Sequence, residues 1–101
     1  MDTRTRTVIW APSAYADLDQ ILAQRGDAEI LLEAVLEAAE SLSSLSERGR
    51  LVPELDDAIT REIFVRNVRL MYELSSTHVF IVAFVYGARD FDTWRREREN
   101  R

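Results

Sequence analysis

Four arginines stand in a stretch where a plain core strand would have no use for them. Residues 60–90 read TREIFVRNVRLMYELSSTHVFIVAFVYGARD, three β-forming runs that carry Arg61, Arg66 and Arg69, then a Gly-Ala-Arg-Asp turn holding Arg89. A guanidinium presents a planar fork of donors that matches a carboxylate or a phosphate. Such a strip could grip an acidic partner or neutralise phosphates. Each arginine also has an ordinary reading: Arg69 as a strand residue paired with Glu62 or Glu73 across a hairpin, Arg61 and Arg66 as solvated edge charges that discourage strand aggregation. Tyr72 and Tyr86 are phenols that could move a proton or simply be half-buried sheet aromatics. Trp94 reads as an anchor for the C-terminal segment or as an interface hot spot.

Composition removes several kinds of chemistry. There are no cysteines and one histidine, His78, so disulfides, thiolate metal sites and His-based metal centres are not expected, and no cofactor is implied. With 101 residues, 47% hydrophobic and 31% charged, the chain is expected to form a single soluble domain over residues 1–101. No apolar run reaches the roughly 20 residues of a membrane span, and residues 1–10 lack a signal-peptide core, so a cytoplasmic protein without membrane contact is expected. The net charge of −5 is unevenly spread. Residues 13–58 hold eleven acidic and three basic side chains, a local −8, which leaves +3 for the rest of the chain.

The elements that must position the arginines follow from periodicity. Residues 5–10 (TRTVIW) have strand composition and are closed by Ala11-Pro12. Ser13 is expected to cap a helix to about Gln24 that Gly26 ends, and Asp27 to cap a second helix running to about Leu45, whose stripe of Leu31, Ala34, Val35, Ala38, Leu42 and Leu45 faces a core. Residues 46–55 read as a loop marked by Gly49 and Pro53. Three strands follow at about residues 60–66, 68–74 and 78–86, joined so tightly that neighbours must be antiparallel. After Gly87, residues 90–101 read as a helical turn or two.

Alternation assigns the faces. Val68, Leu70, Tyr72 and Leu74 should meet the helical hairpin, with Arg69, Met71 and Glu73 opposite. The last strand is apolar at both parities, Val79, Ile81, Ala83 and Val85 against Phe80, Val82, Phe84 and Tyr86, so it should be central and covered on both sides. The hairpin covers only one set. The C-terminal segment or another protein must cover part of the other.

These residues resemble the RelE/ParE superfamily of bacterial type II toxin–antitoxin toxins along nearly the whole chain. The resemblance runs from Trp10-Ala11-Pro12-Ser13-Ala14 and Asp17-Leu18 through the loop Glu47-Arg48-Gly49-Arg50-Leu51-Val52-Pro53-Glu54-Leu55. It continues with Arg61-Glu62, Val68-Arg69-Leu70-Met71-Tyr72 and Val85-Tyr86-Gly87-Ala88-Arg89-Asp90. It implies an α+β fold: an N-terminal strand, an antiparallel helical hairpin, a three-stranded antiparallel meander and a short C-terminal helix, with helices packed on one face of the sheet. This chain has Val68 where many relatives have Tyr, Ser46 where they have Pro, and Tyr86 where they have His.

Two activities occur in that superfamily. The RelE branch cuts messenger RNA on the ribosome with basic groups and proton-transfer groups; by resemblance, Arg69, Arg89 and Tyr86 would serve here. The lysines of that branch fall near Glu62 and Phe64 in this chain, however, and an acid and a phenyl ring cannot replace two cations. The ParE branch, which poisons DNA gyrase without cutting RNA, is the better match. The resemblance then implies a cognate antitoxin, a homodimer or toxin–antitoxin heterotetramer, and antitoxin- or target-binding residues Arg61, Phe64, Arg66, Arg69, Met71, Arg89 and Trp94. A non-toxic, antitoxin-binding homologue is the remaining alternative.

Overall fold

The structure, a computed structural model, describes residues 5–99, with side chains at all of these except 87–90, 98 and 99. The chain runs β1 (Thr7–Trp10), α1 (Pro12–Ala23), α2 (Ala28–Ser41), β2 (Arg50–Leu51), β3 (Thr60–Val65), β4 (Val68–Leu74), β5 (His78–Tyr86) and α3 (Gly87–Glu99). One five-stranded sheet results, in the order β1-β5-β4-β3-β2. β1 lies parallel to β5 and every other pair is antiparallel. The meander expected from sequence is thus extended by a strand on each side. β2 is the strand that periodicity missed, because two residues carry no alternation to read.

The helix starts differ from expectation in their chemistry. α1 begins at Pro12, whose fixed φ suits the first helical position, after an extended Ala11 without a side-chain cap. Ser13 lies inside the helix. Asp27 does occupy the N-cap position of α2, but its carboxylate takes two bonds from Arg25, at 2.8 and 2.9 Å, rather than capping. α2 stops at Ser41, short of Leu45, which is 57% exposed. The serine run that follows offers the backbone other partners: Ser41 Oγ donates to the Ala38 carbonyl, and the Ser43 hydroxyl and carbonyl bond Arg6 beside β1.

The β3–β4 connection contains Arg66 as well as Asn67, both at positive φ (48° and 71°), the backbone of a tight hairpin turn between paired Val65 and Val68. Arg66 is therefore a turn residue rather than the end of a strand. In β5 the register slips: Met71 faces Ala83 while Tyr72 faces Ile81, leaving Val82 as a one-residue bulge. That bulge overturns the expected parity of β5. Val79 and Ile81 point to the helical hairpin and Phe84 joins them, while Ala83 and Val85 point the other way.

Two cores follow, one per face. α1 and α2 bury Leu18, Leu31, Val35 and Leu42 against Val68, Leu70, Tyr72 and Ile81. The opposite face is closed by α3, whose Phe91 and Trp94 pack with Val52, Met71, Ala83 and Val85. The helices thus divide between the faces instead of sharing one. The C-terminal segment is a helix of 13 residues whose first turn is the Gly-Ala-Arg-Asp sequence itself. Two aromatics three residues apart supply its buried side.

Candidate functional site: the arginine-bearing face under α3

The face covered by α3 is where the arginines were expected to act, and its geometry follows from strand register. Arg50, Glu62, Met71 and Ala83 form one row across β2, β3, β4 and β5, and Phe64, Arg69 and Val85 form the next. Glu62 and Arg69 are therefore diagonal neighbours. The Glu62 side chain is fully buried and accepts from Arg50 Nε at 2.7 Å and Arg69 Nη1 at 3.2 Å. Arg69 Nη2 donates to Glu54 Oε2 at 3.1 Å. The Arg69 guanidinium also lies 4.7 Å from the ring centre of Phe91 on α3 and 5.6 Å from that of Phe64. Four charges, two of each sign, close on themselves around a buried carboxylate.

Arg69 thus takes the intramolecular role, with only 16% of its side chain exposed. Its bond holds the Glu54 carboxyl below the usual carboxylate range, against an opposing effect of burial. Phe64 is the outward part of the group: 57% exposed, flanked by the guanidinia of Arg50 and Arg69 at 5.8 and 5.6 Å. Met71, expected on a contact surface, is fully buried under α3 and offers nothing to a partner in this arrangement. Trp94 is half-buried with its ring 5.6 Å from that of Phe91, so it anchors α3.

The other arginines do not join this cluster. Arg61 points to the opposite face, where Nη1 donates to the Gly49 carbonyl at 2.7 Å; it holds the approach to β2 rather than standing free at an edge. Arg66, in its turn, has Nε 3.8 Å from Asp27. Arg89 lies in the first turn of α3, but its side chain is outside the described residues. Tyr86 is 47% exposed, and its ring lies 5.5 Å from the Arg25 guanidinium on the α1 side. It belongs to the parity of Phe84, whereas Arg69 pairs with Val85. A phenol on one face and a guanidinium on the other do not converge on one reacting atom. His78 stacks on Phe80 at 5.5 Å, far along β5.

Arg50 and Glu54 were missed as members of the cluster. Their loop carried a signal, the Arg-x-Val-Pro-Glu run, but only the β2–β3 pairing reveals what it faces. Gly49 belongs to the same arrangement. Its amide donates to the Tyr72 hydroxyl at 3.0 Å, and that hydroxyl donates to the Ser46 carbonyl at 2.8 Å. A Cβ at Gly49 would lie 2.6 Å from Tyr72 Oη and 2.7 Å from the Glu62 carbonyl, so only glycine lets the chain pass this close. Among the described residues no cluster of His, Cys, Asp and Glu could hold a metal, and no helix is long and apolar enough to cross a membrane.

Split helices around a five-stranded sheet define the class. The fold is that of the RelE/ParE superfamily of toxins, and two solved structures share it. The chromosomal ParDE toxin–antitoxin system from P. aeruginosa superposes with a TM-score of 0.64 at 17% identity, over 80% of this chain and 95% of that one. The RelBE2 toxin–antitoxin complex from Mycobacterium tuberculosis gives 0.68 at 25% identity, over 86% and 97%. No curated protein matches the sequence significantly. The family model for the ParE toxin of the type II toxin–antitoxin system parDE matches residues 8–91, and the chain belongs to that family.

Proposed function

We propose that the protein inhibits DNA gyrase and is neutralised by a cognate antitoxin that binds it directly. The observation that carries the choice of target is the state of Arg69. A phosphoryl-transfer site needs cations free to meet charge that develops in the transition state. Here the guanidinium is already matched by Glu62 and Glu54 and lies over Phe91. Glu62 and Phe64 also stand where the ribonuclease branch is expected to have lysines. An exposed phenyl ring between two guanidinia suits docking on a protein. An antitoxin partner is supported by the family and by both structural neighbours, which are toxin–antitoxin systems.

Purified protein at micromolar concentration is expected to block supercoiling by gyrase and to leave messenger RNA on translating ribosomes intact. Phe64→Asp should lose the inhibition while keeping the parent's melting curve. Unaffected gyrase together with cleaved transcripts would move the protein to the ribonuclease reading. Unimpaired growth on induction, with antitoxin binding retained, would make it a non-toxic homologue.

A further inference from the structure

β2 covers only part of the β3 edge. The Val52 amide donates to the Thr60 carbonyl at 3.1 Å, so Thr60, Glu62 and Phe64 are the residues of β3 whose backbone groups face away from β4. Arg50 pairs with Glu62. Arg48 would come next, opposite Phe64, but its amide turns back to the Leu45 carbonyl at 3.0 Å and β2 begins only at Arg50. No described residue takes the Phe64 amide or carbonyl in its place.

The side chains at this corner also face solvent. The Phe64 ring is exposed, and so is 61% of the Arg50 side chain. Glu62 holds Arg50 Nε at 2.7 Å, but neither Nη group bonds a described residue. Arg66, in the turn after β3, is half exposed, with Nε 3.8 Å from Asp27. Glu62 is fully buried and Glu54 is occupied by Arg69, so a partner meets a phenyl ring flanked by cations. A second copy of the chain does not fit here, because two-fold pairing at Phe64 would drive Arg66 of one copy onto Arg50 of the other.

We infer that Arg50 is the residue that selects the target, by taking an aspartate or glutamate from a short target segment whose backbone pairs with Phe64. The inference rests on the reading of Phe64 as the contact with gyrase. A residue set opposite Phe64 projects to the same face as Phe64 and Arg50, so its carboxylate meets the two Nη groups while the phenyl ring packs beside it. A phosphate matches the same fork, but a nucleic acid has no peptide backbone to satisfy the Phe64 amide and carbonyl together. This corner lies at the far edge of the sheet from β1.

The test has two arms, both on the full chain. In supercoiling assays with purified gyrase, Arg50→Lys keeps a cation for Glu62 but loses the planar fork, and should weaken inhibition about fivefold with the parent's melting curve. In the second arm the ¹⁵N-labelled protein meets a blocked pentapeptide of threonine and valine with a central glutamate, the same peptide with glutamine, and a thymidine pentanucleotide. Shifts are expected at the Phe64 amide and Arg50 Nε, with the glutamate peptide bound about tenfold more tightly than the glutamine one. Gyrase untouched by the parent protein would remove the target reading, and shifts at Phe64 would then still support a carboxylate-selective corner. Arg50→Lys as potent as the parent, equal affinity for both peptides, tighter binding of the nucleotide, or no shift at Phe64 with millimolar peptide would each overturn the inference.

Discussion

On the hairpin side of the sheet, Val68, Leu70 and Ile81 meet Leu31, Val35 and Leu42 through apolar contact, with hydrogen bonds from Tyr72 and Arg61 only where the chain approaches β2. On the α3 side a similar stripe of Met71, Ala83, Val85 and Phe91 borders a buried carboxylate clamped by two guanidinia. The same strands build both faces. Apolar contact is strong but indifferent to small displacements, whereas charged hydrogen bonds tolerate few geometries. Arg69 alone touches β3 through Glu62, the loop after β2 through Glu54, and α3 through Phe91. The difference suggests a division of labour. One face supplies most of the cohesion, and the other fixes how the β2 loop and α3 sit on the sheet.

The largest expected effect tests whether the charges are mutually dependent. Glu62→Ala leaves Arg69 under α3 without its buried partner and should cost about 4 kcal/mol in urea unfolding. Replacing both partners, Glu62→Met with Arg69→Met, should recover most of that loss, because the desolvation cost of both ions disappears together. A double variant no more stable than Glu62→Ala would show that the two side chains are not a matched pair. Leu70→Ala on the hairpin side should cost about 3 kcal/mol through lost burial and a residual cavity. It should add to Glu62→Ala without coupling, since the two side chains point to opposite faces. Strong coupling would break the separation between the faces.

Next in size is Gly49→Ala. The new methyl meets the Tyr72 hydroxyl and the Glu62 carbonyl at once, and the cost should be about 2 kcal/mol as β2 is pushed from β3. Hydrogen exchange should then accelerate at residues 50–51 and 61–62 while the β4–β5 amides keep their protection. Uniform acceleration would mean that the β2 edge and the rest of the sheet open as one unit.

How far each face could be read from sequence follows the same division. The hairpin face was legible because Leu31, Val35 and Leu42 keep helical spacing and Val68, Leu70 and Tyr72 alternate. The β3–β4 and β4–β5 hairpins were legible because their loops are too short for any other pairing. What failed did so where a single residue resets the pattern. Val82 bulges and reverses the parity of everything after it, which no count of alternating residues can show when both parities are apolar. Residues 87–90 read as a turn because of Gly87, with a short helix only after them, whereas α3 starts at Gly87 itself and Phe91 and Trp94 hold it against the sheet. Of the site, Glu62 was noticed as a departure from a ribonuclease pattern, and Glu62 was one of two partners open to Arg69. Its pairing with Arg50 depended on a two-residue strand, and Glu54 on a loop path that periodicity does not encode.

The smallest expected effects depend on pH. Glu54 has its proton affinity lowered in the fold by Arg69. Its contribution is present in full above the unfolded value near 4.5 and is lost as pH falls through the lower folded value. The carboxylate is 36% exposed, so solvent screening limits this to under about 1 kcal/mol. Tyr72, on the hairpin face, is shifted upward by burial, so its contribution is full below the unfolded value of 10.0 and is lost as pH rises through the higher folded value. Alkali should therefore act on the hairpin face through Tyr72, whereas acid acts on the α3 face through Glu54 and on the helical hairpin through Asp27, whose carboxyl Arg25 likewise holds below its ordinary value. Glu54→Gln should flatten only the acid limb of a stability–pH curve, and Tyr72→Phe only the alkaline limb, at some cost in stability because the Gly49 amide loses its partner. If either substitution flattens both limbs, the two faces do not titrate independently, and the cluster around Glu62 shares its energetics with the core across the sheet.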